Sequence, residues 1–427
     1  MFGAFILIEV LAATVPVLTV YDGPPIQALT MAAVATGLAI VAATMPPREA
    51  GHCSQLFRLT GWALALPAIW IAVQIVPLPI RSLSNPIWRS VEPALGRSLF
   101  GSITVDYGKT VVALAQYLLA VGVVIATSAV TINRDRAERV LLCITLVTTA
   151  MALMLIADQP AGIASYTTIE TLRGGSALGT VAAAASAVRL FETREKRAER
   201  NENSSQQFVQ AAVSLGGLLI CWVAVIAFAP SQLIFATACG FAISILVACG
   251  RWLAVPNGVI TSFVVLGMIL AIGFAAISSN ASSGDLTLRY STAPHNQVLT
   301  AERMRGDAGW LGTGAGTFAA VQSIYQEGNL SSASAPTTAA AIAIELGSPV
   351  QWILVVLAIL AVALFMRGAL QRGRDSFYPC LAASAMVVVL IEAFIDDTAL
   401  RLSIALLAST IAGLGLAQVV SRTGKLA

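Results

Sequence analysis

A dozen apolar segments, cut by one long polar stretch at residues 278–336, constrain this chain more than any other feature of it. A helix needs about 20 apolar residues to cross a bilayer, and in lipid its backbone must satisfy its own polar groups. The segments at 4–20, 28–45, 60–78, 109–130, 137–157, 175–191, 209–228, 231–250, 256–278, 337–366, 378–396 and 399–419 meet that need or approach it. Together they predict an all-α, polytopic membrane bundle of about twelve spanning helices. Charged residues make up 11% of the chain, against about 25% in soluble domains, which excludes a soluble enzyme. The net charge of +3 gives no case for a nucleic-acid partner. The six cysteines form no CxxC pair, so neither a disulfide framework nor a metal cage is indicated. The N-terminal apolar segment lacks a basic lead and is expected to span rather than to be cleaved.

Two segments stand apart. The sixth is short and rich in Ala, Gly and Ser, which predicts close packing inside the bundle. The tenth is too long for one span, and Gly347-Ser348-Pro349 is expected to break it, leaving 337–346 as a separate piece. The chain therefore divides into membrane helices over 1–278, a long extracytoplasmic loop with short helices over 279–336, and three membrane helices over 337–427. Orientation follows from Lys and Arg. Sixteen of the 25 fall in one set of connections, including 189–207, read as a mixed-charge cytoplasmic linker. This predicts cytoplasmic termini and an outward-facing 279–336. A second outer stretch, 77–109, sets Trp88 and Phe100 among basic residues; anchoring at the headgroup level and lining a substrate path are both open to it.

The polar stretch carries the candidate chemistry. Arg289, Arg303 and Arg305 suit bidentate contact with a phosphate, or pairing with Asp285, Glu302 or Asp307. Gly312, Gly314 and Gly316, in GWLGTGAGTF at 309–318, let backbone N–H groups approach an anion closely; a turn folded over the bundle is the alternative. No βαβ context surrounds them, so a nucleotide loop is not indicated. His295 and Glu345 are the candidate proton acceptors. Glu345 stands in AAAIAIELGSP, an apolar setting where an ionisable residue suggests function, with holding a helix end as the competing role. Glu392 and Asp396, four apart and close to Arg401, are expected to form a structural ion-pair network. No DxD pair stands in an outer loop, so no metal or other cofactor is called for.

Along most of its length the chain resembles the bacterial O-antigen ligase and exopolysaccharide polymerase family. The resemblance lies in WIAVQIVPLP at 70–79 with SITVD at 102–106, and in the run from Arg303 and Asp307 to LGTGAGTF. Tyr325, Glu345-Leu346-Gly347 and the last helix from Asp396 complete it. The chain departs from the family where Pro336-Thr337-Thr338 replaces a His-Asn pair and where Ser231-Gln232 replaces Ser-Arg. The resemblance implies an enzyme of glycan assembly in the bacterial inner membrane. Its donor would be a glycan on a polyprenyl pyrophosphate, and its acceptor a hydroxyl of lipid A-core or of a growing glycan. Arg289, Arg303 and Arg305 would hold the pyrophosphate, and Glu345 or His295 would serve as base. A secondary transporter or glycan flippase, and a non-catalytic relative in a polysaccharide assembly, are the other classes this sequence admits.

Overall fold

Every element among the described residues of the computed structural model is helical. The structure describes residues 1–79, 82–96, 100–162, 164–198, 205–252, 285–325, 334–371 and 375–419, with scattered positions between 258 and 267. The first helices are α1 (Phe2–Val20), α2 (Pro24–Thr44), α3 (Pro47–Ile75), a short α4 (Ile87–Leu95) and α5 (Tyr107–Val130). Then come α6 (Arg134–Ala161), α7 (Tyr166–Ala198), α8 (Ser205–Phe228) and α9 (Ser231–Trp252). The polar stretch supplies α10 (His295–Asp307) and α11 (Phe318–Tyr325). The chain continues with α12 (Thr338–Glu345), α13 (Ser348–Gln371), α14 (Phe377–Glu392) and, after a 3-10 turn at Thr398–Leu400, α15 (Leu402–Ala417).

The expected count of twelve spans is not what these helices give. Six are long and apolar enough to cross a membrane: α1, α2, α5, α6, α8 and α13. A seventh is α3, if its two halves, bent by 60°, form one span. The shorter apolar pieces in α9, α14 and α15 have 10–17 residues; at about 1.5 Å per residue a 16-residue helix covers roughly 24 Å of a core of about 30 Å. The expected ninth segment, 256–278, lies almost wholly outside the described residues. The tenth does break at Gly347, with α12 ending at Glu345 and α13 starting at Ser348. The expected linker 189–207 is helical as far as Ala198, as the end of α7.

The sixth segment is the middle of α7, and α7 is the axis of the bundle, packed on α1, α6, α8, α9, α14 and α15. Lipid tails are as apolar as leucine, so helices associate in a membrane by close contact and interhelical hydrogen bonds. Ala177, Ala182 and Ala183 are fully buried. A Cβ on Gly179 would lie 2.8 Å from both Cys221 Sγ and Thr148 Cβ. Between α6 and α7 the hydroxyls of Thr145 and Ser186 meet at 2.9 Å, and between α9 and α14 those of Ser244 and Ser384 at 3.1 Å.

The polar stretch is not an open loop. Its described residues fold into a cap whose core is Leu288, Ala301, Met304, Phe318 and Val321, packed on Ala340, Ala341 and Ile344 of α12. The cap is tied to the turn after α14: Thr338 N donates to Asp396 O at 2.7 Å, Ala339 N to Ala393 O at 2.8 Å and Thr292 N to Ile395 O at 3.1 Å. The expected network of Glu392, Asp396 and Arg401 is rearranged, because Arg401 pairs with Asp397 at 2.8 Å.

If contact at Gly179 holds α6, α7 and α8 together, Gly179→Val overpacks it at a cost of about 1–3 kcal/mol. Thermal unfolding in detergent should fall by several degrees, while Val209→Ala, on an exposed face of α8, leaves it unchanged.

Candidate functional site

Thr337 caps α12 by accepting from Ala340 N at 3.0 Å, and its hydroxyl donates to Thr287 O at 2.7 Å. At the other end of α12 the chain turns sharply, with Gly347 at φ 91°. The glycine run lies against this turn. Thr313 N donates to Ile344 O and Gly314 N to Glu345 O, each at 2.9 Å, while Thr313 O accepts from Val105 N at 2.8 Å. Gly312, Gly314 and Gly316 have φ of 80°, 107° and 74°, a region open to glycine at little cost. At Gly312 a side chain is also excluded by contact, because its Cβ would overlap the Glu345 carbonyl.

The Glu345 carboxylate closes the turn. Its Oε2 accepts from Gly316 N at 2.8 Å and its Oε1 from Phe318 N at 2.9 Å. Phe318 opens α11, so the carboxylate meets the orphan amides and the positive end of a helix. Burial pushes the Glu345 carboxyl up to about 7, against the opposing effect of the two amides. Of the two roles the sequence leaves to Glu345, this geometry favours holding a helix end.

Gln74, fully buried near the end of α3, completes the clamp. Its Nε2 donates to Glu345 O at 2.9 Å and Leu311 O at 3.2 Å, and its Oε1 accepts from Ala315 N at 3.1 Å. Trp70 Nε1, one turn earlier, donates to Leu346 O at 3.0 Å. Thr104 N donates to Gln74 O at 3.1 Å, and its hydroxyl meets that of Thr110 at 2.6 Å. The amides of residues 313–318 are thus all taken by acceptors within the protein. Gln74 was not among the site residues expected from the sequence, where its one signal is a glutamine inside the apolar run WIAVQIV.

The cations lie elsewhere on the cap. Arg305 is ion-paired with Asp285 and donates to Thr287 Oγ1 at 2.8 Å; burial lowers its affinity for the proton. The half-buried Arg289 sets its guanidinium 5.8 Å from the ring centre of Tyr290. Arg303 and His295 are exposed, His295 at the first position of α10. The structure brings Gly312, Gly314 and Gly316 around Glu345; the hydrogen-bond partners of that carboxylate are amides, not His295 or an arginine. Tyr325 OH donates to Asp307 Oδ2 at 2.8 Å and joins the ends of α10 and α11. In the 77–109 stretch, Trp88 turns inward, donating to Thr104 O at 3.0 Å and stacking on Tyr107 at 5.2 Å. Phe100 stays exposed. Among the described residues no group of three His, Cys, Asp or Glu gathers to hold a metal.

Two outcomes test the clamp. Glu345→Gln keeps the shape but turns an NH2 group toward one of the two amides, so it should cost about 1.5–3 kcal/mol of stability; Gln74→Leu should lower the unfolding temperature as well. Burial raises Glu345 from 4.5 to about 7, so between those values the folded protein binds more protons than the unfolded chain. The stability from this group is complete below about 4.5 and lost as pH rises through 7. Unfolding temperature should therefore fall from about pH 4.5 to about pH 7, less steeply in Glu345→Gln. Asp396, pushed up to about 6 by burial, keeps part of the slope in the variant.

No protein-family model matches the chain, and no curated protein does.

Proposed function

We propose that the chain transfers a glycan from a polyprenyl pyrophosphate carrier to an acceptor hydroxyl, as an O-antigen ligase or a polysaccharide polymerase of a bacterial inner membrane. The observation that carries this reading is the cap itself: a polar segment folded onto one end of a membrane-type bundle that carries both cations and exposed apolar side chains. Arg289 and Arg303 share the cap with Trp310, 67% exposed, and Ile324, 71% exposed. A prenyl-linked pyrophosphate has the same two characters, an anionic head and an apolar chain.

In this reading the acceptor oxygen attacks the anomeric carbon as the bond from that carbon to the pyrophosphate oxygen breaks. The leaving pyrophosphate gathers negative charge, and preorganised guanidinium groups stabilise it. Arg289 and Arg303 supply that charge, and Arg305, tied to Asp285 and Thr287, holds the start of the cap against α10. Glu345 keeps the glycine turn closed. The acceptor proton goes to His295, whose imidazole is exposed. The cap faces outward and both termini lie in the cytoplasm, following the bias of Lys and Arg.

Arg289→Ala and Arg303→Ala should each weaken donor binding roughly ten- to a hundred-fold without loss of protein from the membrane, and Lys should rescue only in part. Full transfer activity in both alanine variants sinks the assignment. Deleting the gene should remove long-chain lipopolysaccharide, for a ligase, or high-molecular-weight extracellular polymer, for a polymerase; an unchanged profile of both refutes the reading. Reporters fused after Thr193 and Gln371 should report cytoplasm, and one near Ser332 the outside.

A further inference from the structure

The turn from α14 to α15 carries three carboxylates that the proposed transfer does not use. Asp397 is paired with Arg401. Asp396 Oδ1 accepts from Thr398 N at 2.9 Å and feels the charge of Arg173 on α7. Glu392 differs from both. It is fully buried, and neither of its carboxylate oxygens has a hydrogen-bond partner. It packs directly on α7 at Gly174, where a Cβ would overlap its Oε1. The fully buried Thr398 sets its Cγ2 against the same glycine, and the Nε of Arg173 is buried without a hydrogen-bond partner.

Three carboxylates here face two guanidinium groups, so one negative charge is left over where water is excluded. The other helices on α14 do not offset it. The only charged residues of α9 and α13 are Arg251 and Arg367, close to their far ends, and α15 has none. Glu170, one turn before Gly174 on α7, is a further acid. On the cap, the titratable residues nearest in sequence to docked Thr292 are Tyr290, Arg289 and His295.

We propose that Glu392 and Asp396 hold one exchangeable proton between them, and that this proton keeps the turn that anchors the cap closed. Glu392 and Asp396 stand one helical turn apart, joined by the bond from Asp396 N to Glu392 O at 3.1 Å. With one proton the pair carries one charge and Glu392 can be neutral. Loss of that proton to water leaves two buried like charges, which repel strongly in such surroundings. The cap is anchored on the residues between and beside them, through Thr338 N and Oγ1 on Asp396 O, Ala339 N on Ala393 O and Thr292 N on Ile395 O. A proton fits better than a metal ion, because α7 packs directly on Glu392 Oε1 and no third carboxylate joins the pair as a ligand set.

Infrared spectroscopy of the full chain in detergent tests this. At about pH 7, in a Glu345→Gln background that removes the other buried carboxyl pushed up to about 7, a protonated carboxylic carbonyl band is expected, unchanged by sodium chloride and lost when Glu392→Gln is added. Asp396→Asn, which removes the neighbouring charge, should lower the pH at which proton release begins; if Glu392→Gln fails to accumulate, this variant carries the assignment. No such band at neutral pH, or a band unaffected by both substitutions, overturns the proposal. A band that sodium removes makes the site a monovalent cation site instead. Amide exchange over 285–325 and 334–346, corrected for intrinsic rates, should accelerate in Glu345→Gln as the band disappears with rising pH and stay flat when Glu392→Gln is added. Parallel acceleration in both breaks the link between proton and cap.

Discussion

The two oxygens of Glu345 accept from the amides of Gly316 and Phe318, and the placement of the cap depends on that pair of bonds. A glycine-rich turn with successive positive φ angles has amides that no helix or sheet can satisfy. Here a carboxylate from the end of α12 fills the turn, and the Gln74 side chain takes up what remains on the α3 side. The same bonds fix the break between α12 and α13, because Gly314 N and Gln74 Nε2 both end on the Glu345 carbonyl. The turn, the broken helix and the end of α3 therefore form one unit.

The bundle beneath depends on shape more than on apolar burial. With lipid outside, a leucine gains little by leaving it for a neighbouring helix. Around Leu172, Leu178 and Val181 the interior of α7 is accordingly rich in Ala, Gly, Ser and Thr, which let α6, α8 and α14 come close enough for van der Waals contact and hydroxyl hydrogen bonds. Away from the cap, two ion pairs join separate segments: Arg134 with Asp375 at 3.1 Å, and Arg189 with Glu138. At the cap end the balance is different. Glu392 is buried with no partner for either oxygen, directly under the backbone that carries the cap.

These two ends of the cap differ in chemistry. The α3 side is held by neutral amide groups and one carboxylate between amides, while the α14 side rests on a turn crowded with acids. The cap also carries Arg289 and Arg303, the cations through which the proposed donor would be bound.

The sequence by itself determined the membrane-type, all-helical class, because runs of uncharged apolar residues leave the backbone no other way to satisfy its polar groups in lipid. It also determined the break at Gly347, the cap at Thr337 and the burial of the small-residue helix, since each follows from local chemistry. The number of spans was not legible: apolar composition does not distinguish a full crossing from the 16-residue α14 and α15, whose place is set by neighbours. Nor was the task of Glu345, which sequence left between proton acceptor and helix holder. Its partners Gly316 and Phe318 lie 29 and 27 positions away and Gln74 lies 271 away. Only the tertiary fold brings those amides to one carboxylate, pairs Arg305 with Asp285, and leaves Glu392 buried without a partner.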